Sequence, residues 1–292
     1  MATAAQWIDG ARPRTLGAAI APVAVGTGIA AAADSLQPVR AVLALIVLLA
    51  AQVGVNYAND YSDGIRGTDE KRVGPVRLVG QGLASPAAVR AAALASLVVS
   101  AVAGLVLVAL TAQWWLLTVG GCALLAAWFY TGGPKPYGYL GLGEVFVFVF
   151  FGIVPVVGTA YVQTLTFSTA AWVSSIGVGA LICAILVANN LRDTPTDSSV
   201  GKRTLAVRMG DGPTRVLYVA LVMSAFVVIV PLAALLGLGF AWLGFLAAPL
   251  AIRPMAAVLG GASGGALVAV LKTTGVVVLA YGLLLGLGIG LS

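Results

Sequence analysis

Long apolar stretches alternate with short polar loops along the whole chain. Each stretch is long enough to cross a hydrocarbon core of about 30 Å as an α-helix, which rises about 1.5 Å per residue. The pattern therefore predicts an all-α polytopic membrane protein with nine transmembrane helices. The nine stretches cover residues 16–33, 41–58, 91–110, 113–130, 143–162, 171–190, 216–236, 239–255 and 270–290.

The first stretch has an alternative interpretation. Arg12 and Arg14 precede it and an alanine run follows it, as in a cleaved signal peptide. Eight further apolar stretches favour a retained first helix instead. We therefore expect residues 1–292 to form a single transmembrane domain.

Composition restricts the chemistry that this domain can support. Hydrophobic residues make up 60% of the chain and charged residues 9%, with a mean hydropathy of +1.04, which excludes a soluble globular protein. The chain has no histidine, which excludes histidine-ligated haem or zinc and proton transfer by imidazole. A metal site must then use oxygen ligands, which favours Mg²⁺, with Mn²⁺ and Ca²⁺ as competitors.

The charged residues predict an orientation in the cell membrane, the inner membrane of a bacterium. With a cytoplasmic N-terminus, all of the 16 basic residues except Arg40 lie on the inner side, as the positive-inside rule requires. All of the ten acidic residues except Asp34 lie there too, which that rule does not require. We therefore expect the active site to face the cytoplasm.

The second apolar stretch ends in a cluster of acidic and amide residues. Asn59 and Asp63 are four residues apart, as are Asn56 and Asp60, so each pair shares one face of a helix. Asp69 follows as a third carboxylate. Carboxylates repel one another and cost about 2.5–3.5 kcal/mol each at a bilayer centre, so a cation is expected among them. Basic residues come next and predict a bound anion as well: Lys71, Arg72 and Arg77.

A second acidic motif repeats the first at an offset of 130 residues. Asn189, Asp193 and Asp197 are spaced four residues apart and line one face if the helix continues, although Pro195 predicts a kink or an end. Lys202 and Arg203 follow. The repeat predicts two pseudo-repeat halves, 1–140 and 141–292, with one site between them. The alternative is that the motifs are two unrelated helix caps. Capping requires only one acidic residue, whereas the two segments contain five.

The two motifs together predict a magnesium–diphosphate site. Magnesium usually takes one or two carboxylates and completes its shell with water and phosphate oxygens. Two acid-rich helix ends could therefore hold two or three Mg²⁺ ions and a diphosphate, with Lys and Arg side chains stabilising it as a leaving group.

The motifs resemble those of the UbiA superfamily of intramembrane prenyltransferases, over nearly the whole chain. Of the family pattern N-D-x-x-D-x-x-x-D, this sequence matches Asn59, Asp60 and Asp63, has Gly67 in the last place and has its next acid at Asp69. That spacing resembles the 1,4-dihydroxy-2-naphthoate polyprenyltransferases of menaquinone biosynthesis. The NNLRDTPTD and GKRTLAVRMG segments carry the superfamily resemblance in the second motif. The TDEKRVGPVRLV segment, the YTGGPKPYGYLGLGEVFVFVFFG segment (130–152) and the ARPRTL segment near the N-terminus resemble the naphthoate branch.

The resemblance implies a nine-helix bundle with Mg²⁺ as cofactor, and a polyprenyl diphosphate, an aromatic acid and the bilayer as partners, with no nucleic acid. The diphosphate would ionise to an allylic cation, which 1,4-dihydroxy-2-naphthoate attacks, with loss of carbon dioxide and diphosphate to give demethylmenaquinone. It assigns Asp63 and Asp193 as catalytic and the basic residues Lys71, Arg72, Arg77, Lys202 and Arg203 to diphosphate. The expected metal ligands are Asn59, Asp60, Asp63, Asp69, Asn189, Asp193 and Asp197.

The acceptor side is less constrained by the sequence. Glu144 begins the fifth stretch, where a carboxylate is costly unless paired or functional, so we expect a role beside the acceptor or a bond to Arg12. The alternative is a salt bridge that only fixes helix ends. Tyr130 (catalytic) and Tyr137 (acceptor-binding) could equally be interfacial residues, and Arg12 could bind the acceptor's carboxylate or only mark topology.

Other functions remain as alternatives. A secondary transporter also uses inverted repeats and membrane acids, but its acids lie near the midplane rather than at helix ends. Within the superfamily, 4-hydroxybenzoate, haem or sugar phosphate could replace the naphthoate acceptor. Prenyl chain length and oligomeric state are left open.

Overall fold

The computed structural model describes residues 2–67 and 76–292, and every regular element in those ranges is helical. Short 3₁₀ turns lie at Pro13–Thr15 and Tyr137–Leu140. The helices are α1 Ala4–Ala11, α2 Gly17–Ala32, α3 Pro38–Ile65, α4 Pro86–Thr111, α5 Leu116–Phe129, α6 Gly143–Thr164, α7 Thr169–Ser199, α8 Leu205–Met209, α9 Asp211–Ala234, α10 Gly239–Leu259 and α11 Gly265–Gly290.

All nine predicted apolar stretches are helical, which confirms an all-α polytopic membrane protein. In the described ranges, α3, α4, α6, α7, α9, α10 and α11 are long and apolar enough to cross a bilayer. The segment Ala4–Thr15 and α2 pass the same test as a pair bent by 47°. The fourth stretch forms α5, whose 14 residues span only about 21 Å. By length and composition, then, seven or eight helices of the described residues could span the membrane, and the predicted count of nine is not confirmed.

Most of the core lies among α2 and the C-terminal helices. α2 packs along α11 and α6, α7 packs along α9, and α3 packs along α4 with α1 beside the end of α3 that carries the first motif. Gly28 permits the close approach of α2 to α11, because an added Cβ would lie 2.0 Å from the Gly286 carbonyl oxygen. α2 therefore joins the helices of the second half, and the pseudo-repeat halves stay a prediction.

The two motif helices correspond in their boundaries as well as in their motifs. α3 begins at Pro38 and α7 at Thr169, so their starts are also about 130 residues apart. Of the kink or end predicted at Pro195, the end is wrong, because the helix continues to Ser199. Hydroxyl groups nearby bond backbone carbonyls around the proline: Thr194 donates to Asn190 O at 2.9 Å and Thr196 to Asp193 O at 2.9 Å.

Helix α6 contains a π segment at Phe148–Ile153. At this level α6 touches the backbone of α7, since a Cβ added to Gly152 would lie 2.5 Å from the Gly179 Cα. A π turn inserts one extra residue per turn and is frequent at functional sites. Here two of its residues, Phe150 and Phe151, line the cavity described below.

Candidate functional site

A mainly apolar cavity of about 620 Å³ lies among α3, α4, α5, α6 and α7. Its wall follows α3 from Ala44 to Asp63, a rise of roughly 28 Å at about 1.5 Å per residue. Polar and charged side chains concentrate where α3 and α7 end. At the opposite end, Ala44, Leu107 and Val162 pack together. The cavity thus joins a charged end to a long apolar channel.

Both acidic motifs contribute to the charged end of this cavity. Asn59 and Asp63 line it from α3, and Asn189 lines it from α7. Arg77 and Lys202, which follow the two motifs, line it as well. The fold therefore brings side chains of the two motifs, distant in sequence, to one space.

In the first motif, the two cavity-lining side chains are fixed by hydroxyl groups. The Thr131 hydroxyl donates to Asn59 Oδ1 at 2.8 Å, and the Tyr139 phenol donates to Asp63 Oδ1 at 2.8 Å. Arg77 Nη2 lies 3.9 Å from Asp63 Oδ2. Asp63 is 4% exposed, so its charge is balanced by these close neighbours and not by bulk water.

Asp60 faces away from the cavity. Its carboxylate accepts hydrogen bonds from the Leu78 backbone N–H at 2.7 Å and from the Val79 N–H at 3.1 Å, and the residue is 1% exposed. It therefore ties the segment that carries Arg77 to α3. The predicted ligand Asp69 and the predicted cations Lys71 and Arg72 lie outside the described residues.

In the second motif, an arginine that the sequence reading treated only as a topology charge is central. Arg192 donates from Nε to Asp193 Oδ1 at 2.7 Å and from Nη2 to Asp193 Oδ2 at 2.8 Å and Asn189 Oδ1 at 2.7 Å. Lys202 Nζ lies 3.4 Å from Asp197 Oδ1. Arg192 lines the cavity, whereas Asp193 and Asp197 lie just behind its wall.

Tyr139 links the two motifs, and the sequence reading missed it. Besides its bond to Asp63, its carbonyl accepts a bond from the Arg203 backbone N–H at 3.0 Å, and Lys202 Nζ lies 5.0 Å from its ring centroid. Tyr139 sits in a turn without helical periodicity, so spacing could not assign it to a face. The Arg203 side chain is exposed and is not part of the cavity wall.

Glu144 contacts the cavity indirectly. Its Oε1 accepts a hydrogen bond from Asn190 Nδ2 at 2.9 Å, and Asn190 lines the cavity. Its Oε2 is buried and has no hydrogen-bond partner within the described part of the chain. The Asn190 N–H₂ group donates to Glu144, so Asn190 can present its amide oxygen to the cavity.

Tyr130 and Tyr137 both line the cavity next to the aromatic residues of α6. The Tyr137 phenol donates to Ala126 O at 2.7 Å, and its ring stacks on Phe146 at 4.0 Å. Burial raises the pKa of the Tyr137 phenol, and burial together with the Glu144 carboxylate raises the pKa of the Tyr130 phenol. Both phenols are therefore neutral at physiological pH. Phe150 and Phe151 also line the cavity, whereas Phe148 packs against Gly179.

A further polar network lies along α3, one to two turns from Asn59. Of its members, Asn56 was considered in the sequence analysis, but Gln52 and Thr15 were not. Asn56 Nδ2 donates to Ala11 O at 2.9 Å and to Thr15 Oγ1 at 3.1 Å, and Gln52 Nε2 donates to Thr15 Oγ1 at 3.2 Å. The Thr15 hydroxyl proton goes to Arg12 O at 2.9 Å. Ala11 O and Thr15 Oγ1 can therefore only accept hydrogen bonds here. Both amides must direct their N–H₂ groups toward these atoms, which fixes the position of their oxygens.

The amide oxygens of Gln52 and Asn56 are consequently available to a ligand. Both residues line the cavity. In the described structure, their amide oxygens are absent from the set of enclosed polar atoms that lack a hydrogen-bond partner. Arg12, whose backbone conformation is left-handed with φ 56°, lines the cavity beside them. This part of the wall accepts hydrogen bonds and includes the cationic side chain of Arg12.

The donor set at the charged end suits magnesium. Within the described ranges, no three acidic or cysteine side chains converge on a point that could hold one metal ion. Each motif instead offers one or two carboxylates and an amide oxygen. Mg²⁺ is usually held in this way, with water and phosphate oxygens completing its octahedron. The residues therefore fit a metal that binds together with a phosphate ligand.

Known proteins share this architecture and sequence. The profile of the UbiA prenyltransferase family matches residues 19–264. A 1,4-dihydroxy-2-naphthoate octaprenyltransferase of Mycobacterium tuberculosis is 53% identical over 285 residues, which cover 97% of this chain and 96% of that protein.

Two solved structures have the same fold. A UbiA homologue from Aeropyrum pernix in its apo form superposes with a TM-score of 0.70 at 18% identity, over 93% of this chain and 96% of that one. A UbiA homologue from Archaeoglobus fulgidus bound to GPP and Mg²⁺ superposes with a TM-score of 0.63 at 14% identity, over 95% and 98% of the two chains.

Proposed function

The chain belongs to the UbiA prenyltransferase family, and from this premise we propose that it is a magnesium-dependent 1,4-dihydroxy-2-naphthoate polyprenyltransferase. It would transfer a polyprenyl group from an allylic polyprenyl diphosphate to the naphthoate with decarboxylation, giving demethylmenaquinone. The Mycobacterium tuberculosis relative, named for this acceptor and matched over nearly its full length, supports the choice. The observation that carries the proposal is that Asn59 and Asp63 of the first motif and Asn189 of the second line one long apolar cavity.

At the charged end, Asn59 and Asp63 would hold Mg²⁺ from one side, and Asn189, Asp193 and Asp197 from the other. When bound, Mg²⁺ withdraws charge from the diphosphate and so assists its departure. Arg77 and Lys202 line the same end and would stabilise the diphosphate as it leaves. The Archaeoglobus fulgidus homologue, which is bound to GPP and Mg²⁺, supports magnesium and a prenyl diphosphate as the ligands of this fold.

Some predicted site residues receive a different or an open assignment. Asp60 has both carboxylate oxygens bonded to backbone N–H groups, so we assign it to holding the Arg77 segment rather than to metal. The exposed Arg203 side chain is assigned to the surface. Asp69, Lys71 and Arg72 stay predictions from the sequence.

The apolar part of the cavity would receive the polyprenyl chain. Burying hydrocarbon there contributes about 25 cal/mol per Å² of apolar surface, which favours a long substrate. Phe146, Phe150 and Phe151 lie between the charged end and this apolar part. Their rings can stabilise an allylic cation through its attraction to the π face, and they exclude water that would otherwise trap it.

The acceptor would bind beside the Gln52 and Asn56 amide oxygens, which can accept hydrogen bonds from the two naphthol hydroxyls. Arg12, which lines the same cavity, would pair with the acceptor's carboxylate. If the new bond forms at the carboxylate-bearing carbon, loss of carbon dioxide returns its electron pair to the ring. No strong protein base is then required, in agreement with the neutral Tyr130 and Tyr137 phenols.

The polar end of the cavity would face the cytoplasm. The loops at this end carry most of the basic residues, which places them inside by the positive-inside rule. The N-terminus, which precedes α1 at the same end, would then be cytoplasmic too. Cysteine labelling from outside intact cells would test this orientation at Arg203→Cys.

The proposed function is tested with the full chain purified in detergent and supplied with Mg²⁺ and a polyprenyl diphosphate. The panel of acceptors contains 1,4-dihydroxy-2-naphthoate, 4-hydroxybenzoate and a sugar phosphate. Mass spectrometry is expected to find a decarboxylated prenyl naphthoquinol, and only when Mg²⁺ and the naphthoate are present. A product from another acceptor at a higher rate would instead assign the chain to another branch of the family.

A further inference from the structure

Arg192 occupies the oxygen atoms that the proposed function gives to magnesium. Its guanidinium binds both Asp193 carboxylate oxygens, at 2.7 and 2.8 Å, and Asn189 Oδ1 at 2.7 Å. The Arg192 and Asp193 side chains are 2% and 5% exposed. In the structure, then, a buried guanidinium supplies the positive charge that the second motif requires.

A guanidinium and a metal ion cannot use these oxygens in the same way at once. Mg²⁺ requires its ligand oxygens at about 2.0–2.1 Å in a near-octahedral arrangement. The Arg192 fork approaches the same carboxylate along both of its oxygens. Binding of Mg²⁺ along the lone pairs of Asn189 and Asp193 that the guanidinium now occupies therefore requires Arg192 to move away.

A displaced Arg192 needs a new anion, because a buried and uncompensated charge is strongly destabilising. Arg192 lines the cavity, so a diphosphate bound there is within its range of motion. Guanidinium and phosphate match in geometry, since two N–H groups can bond two oxygens in parallel. The same substrate that brings Mg²⁺ would thus also supply the partner for Arg192.

We propose that Arg192 is a diphosphate-binding residue that exchanges partners: it holds Asn189 and Asp193 before substrate binds and moves to the diphosphate as Mg²⁺ takes its place. The exchange rests on the proposed function. It makes metal loading at the second motif dependent on diphosphate, and it gives Arg192 opposite effects on the two ligands. Removing the guanidinium takes away a competitor for the metal ligands but also takes a donor away from the diphosphate.

A second arginine–aspartate pair provides a matched control. Arg215 binds Asp211 through Nε at 2.6 Å and Nη2 at 2.8 Å, which is the same forked geometry. This pair lies at the start of α9 and neither residue is part of the cavity wall. Arg215→Gln removes a comparable ion pair without touching the site.

The experiment measures two affinities of the full chain purified in detergent. Electron paramagnetic resonance gives the Mn²⁺ affinity without any phosphate ligand, and equilibrium dialysis gives the affinity for radiolabelled inorganic pyrophosphate at saturating Mg²⁺. Arg192→Gln is expected to tighten Mn²⁺ binding at least about tenfold and to weaken pyrophosphate binding at least about tenfold. Arg215→Gln is expected to change neither by more than about twofold.

Arg192→Lys provides a second variant in case the glutamine variant is not stable. It keeps the charge but loses the fork, so smaller changes in the same two directions are expected. If Arg192 is only a structural ion pair, pyrophosphate affinity will not fall, and that result overturns the exchange. Shifts of both affinities in one direction, or no shift, overturn it too. If the wild-type chain binds no pyrophosphate with Mg²⁺, the diphosphate site itself fails, and the exchange with it.

Discussion

The Tyr139 phenol donates a hydrogen bond of 2.8 Å to Asp63 Oδ1, joining the turn after α5 to the end of α3. The same tyrosine accepts a backbone hydrogen bond from Arg203, just beyond the second motif. One side chain therefore orients the first motif while its backbone positions the loop that follows the second. The spacing between the two halves of the site depends on this connection.

Tyr139→Phe should lower kcat/KM for polyprenyl diphosphate about tenfold without loss of folded protein, because it removes one hydrogen bond to a carboxylate worth about 1.5–3 kcal/mol. Steady-state kinetics at saturating naphthoate measure the effect. Tyr161→Phe is the control, since it removes a phenol bound to Gln113 at the opposite end of the bundle. Equal losses in the two variants would reject a specific role for Tyr139.

Asp63→Ala and Asp193→Ala should each abolish turnover, by about 100-fold or more, while expression and membrane insertion stay normal. Each removes a carboxylate from the proposed Mg²⁺ site. Asp211→Ala, which removes a carboxylate outside the cavity, should keep near-normal activity. Near-normal turnover in either purified site variant would remove that residue from the metal site.

Asp60→Asn should destabilise the protein more than it weakens metal binding. It replaces a charged acceptor of two backbone N–H groups with a neutral amide, so about 1.5–3 kcal/mol of stability is at risk. Thermal unfolding in detergent and Mn²⁺ titration separate the two effects. A large loss of Mn²⁺ affinity at unchanged Tm would restore Asp60 to the ligand set.

Gln52→Leu should raise the KM for the naphthoate about tenfold and leave the KM for polyprenyl diphosphate within about twofold. The variant keeps the side-chain volume similar but removes an acceptor for a hydroxyl group of the substrate. Ser100→Ala is the control, because Ser100 lines the apolar part of the cavity and its hydroxyl bonds Val47 O. A change confined to the diphosphate KM would contradict the acceptor assignment.

Glu144→Gln should affect the kinetics of the aromatic acceptor more than those of the prenyl diphosphate. The glutamine can present an N–H₂ group to Asn190 and so reverse the orientation of that amide. Single-substrate variation at saturating concentration of the other substrate measures both parameters. The opposite pattern would place Glu144 on the diphosphate side.

Sequence reasoning reached the helices and the motifs because both follow local rules. Apolar length predicted each helix, and a spacing of four residues placed Asn59 with Asp63 on one face of α3. The same rule could not decide whether Asp60 faces the cavity. Successive helix residues are separated by about 100°, so Asp60, next to Asn59, could lie at the edge of the cavity face or turn away from it. That choice is made by the Leu78 and Val79 N–H groups, which are distant in sequence.

The contacts of Tyr139 and Arg192 were beyond such rules for a related reason. Tyr139 lies in a short 3₁₀ turn, and its partner is 76 residues away. Arg192 counts equally as a topology charge and as a site residue until the side chains around it are known. The length of α5 was also overestimated, because Trp114 and Trp115 are apolar enough to extend the stretch but precede the helix.

The shortness of α5 has a consequence for the surrounding lipid. A wall of about 21 Å beside a hydrocarbon layer of about 30 Å cannot match it, so the bilayer thins there or the following turn enters it. In both cases headgroups approach the charged end of the cavity on this flank. Turnover in vesicles should consequently vary with the acyl length of the host lipid.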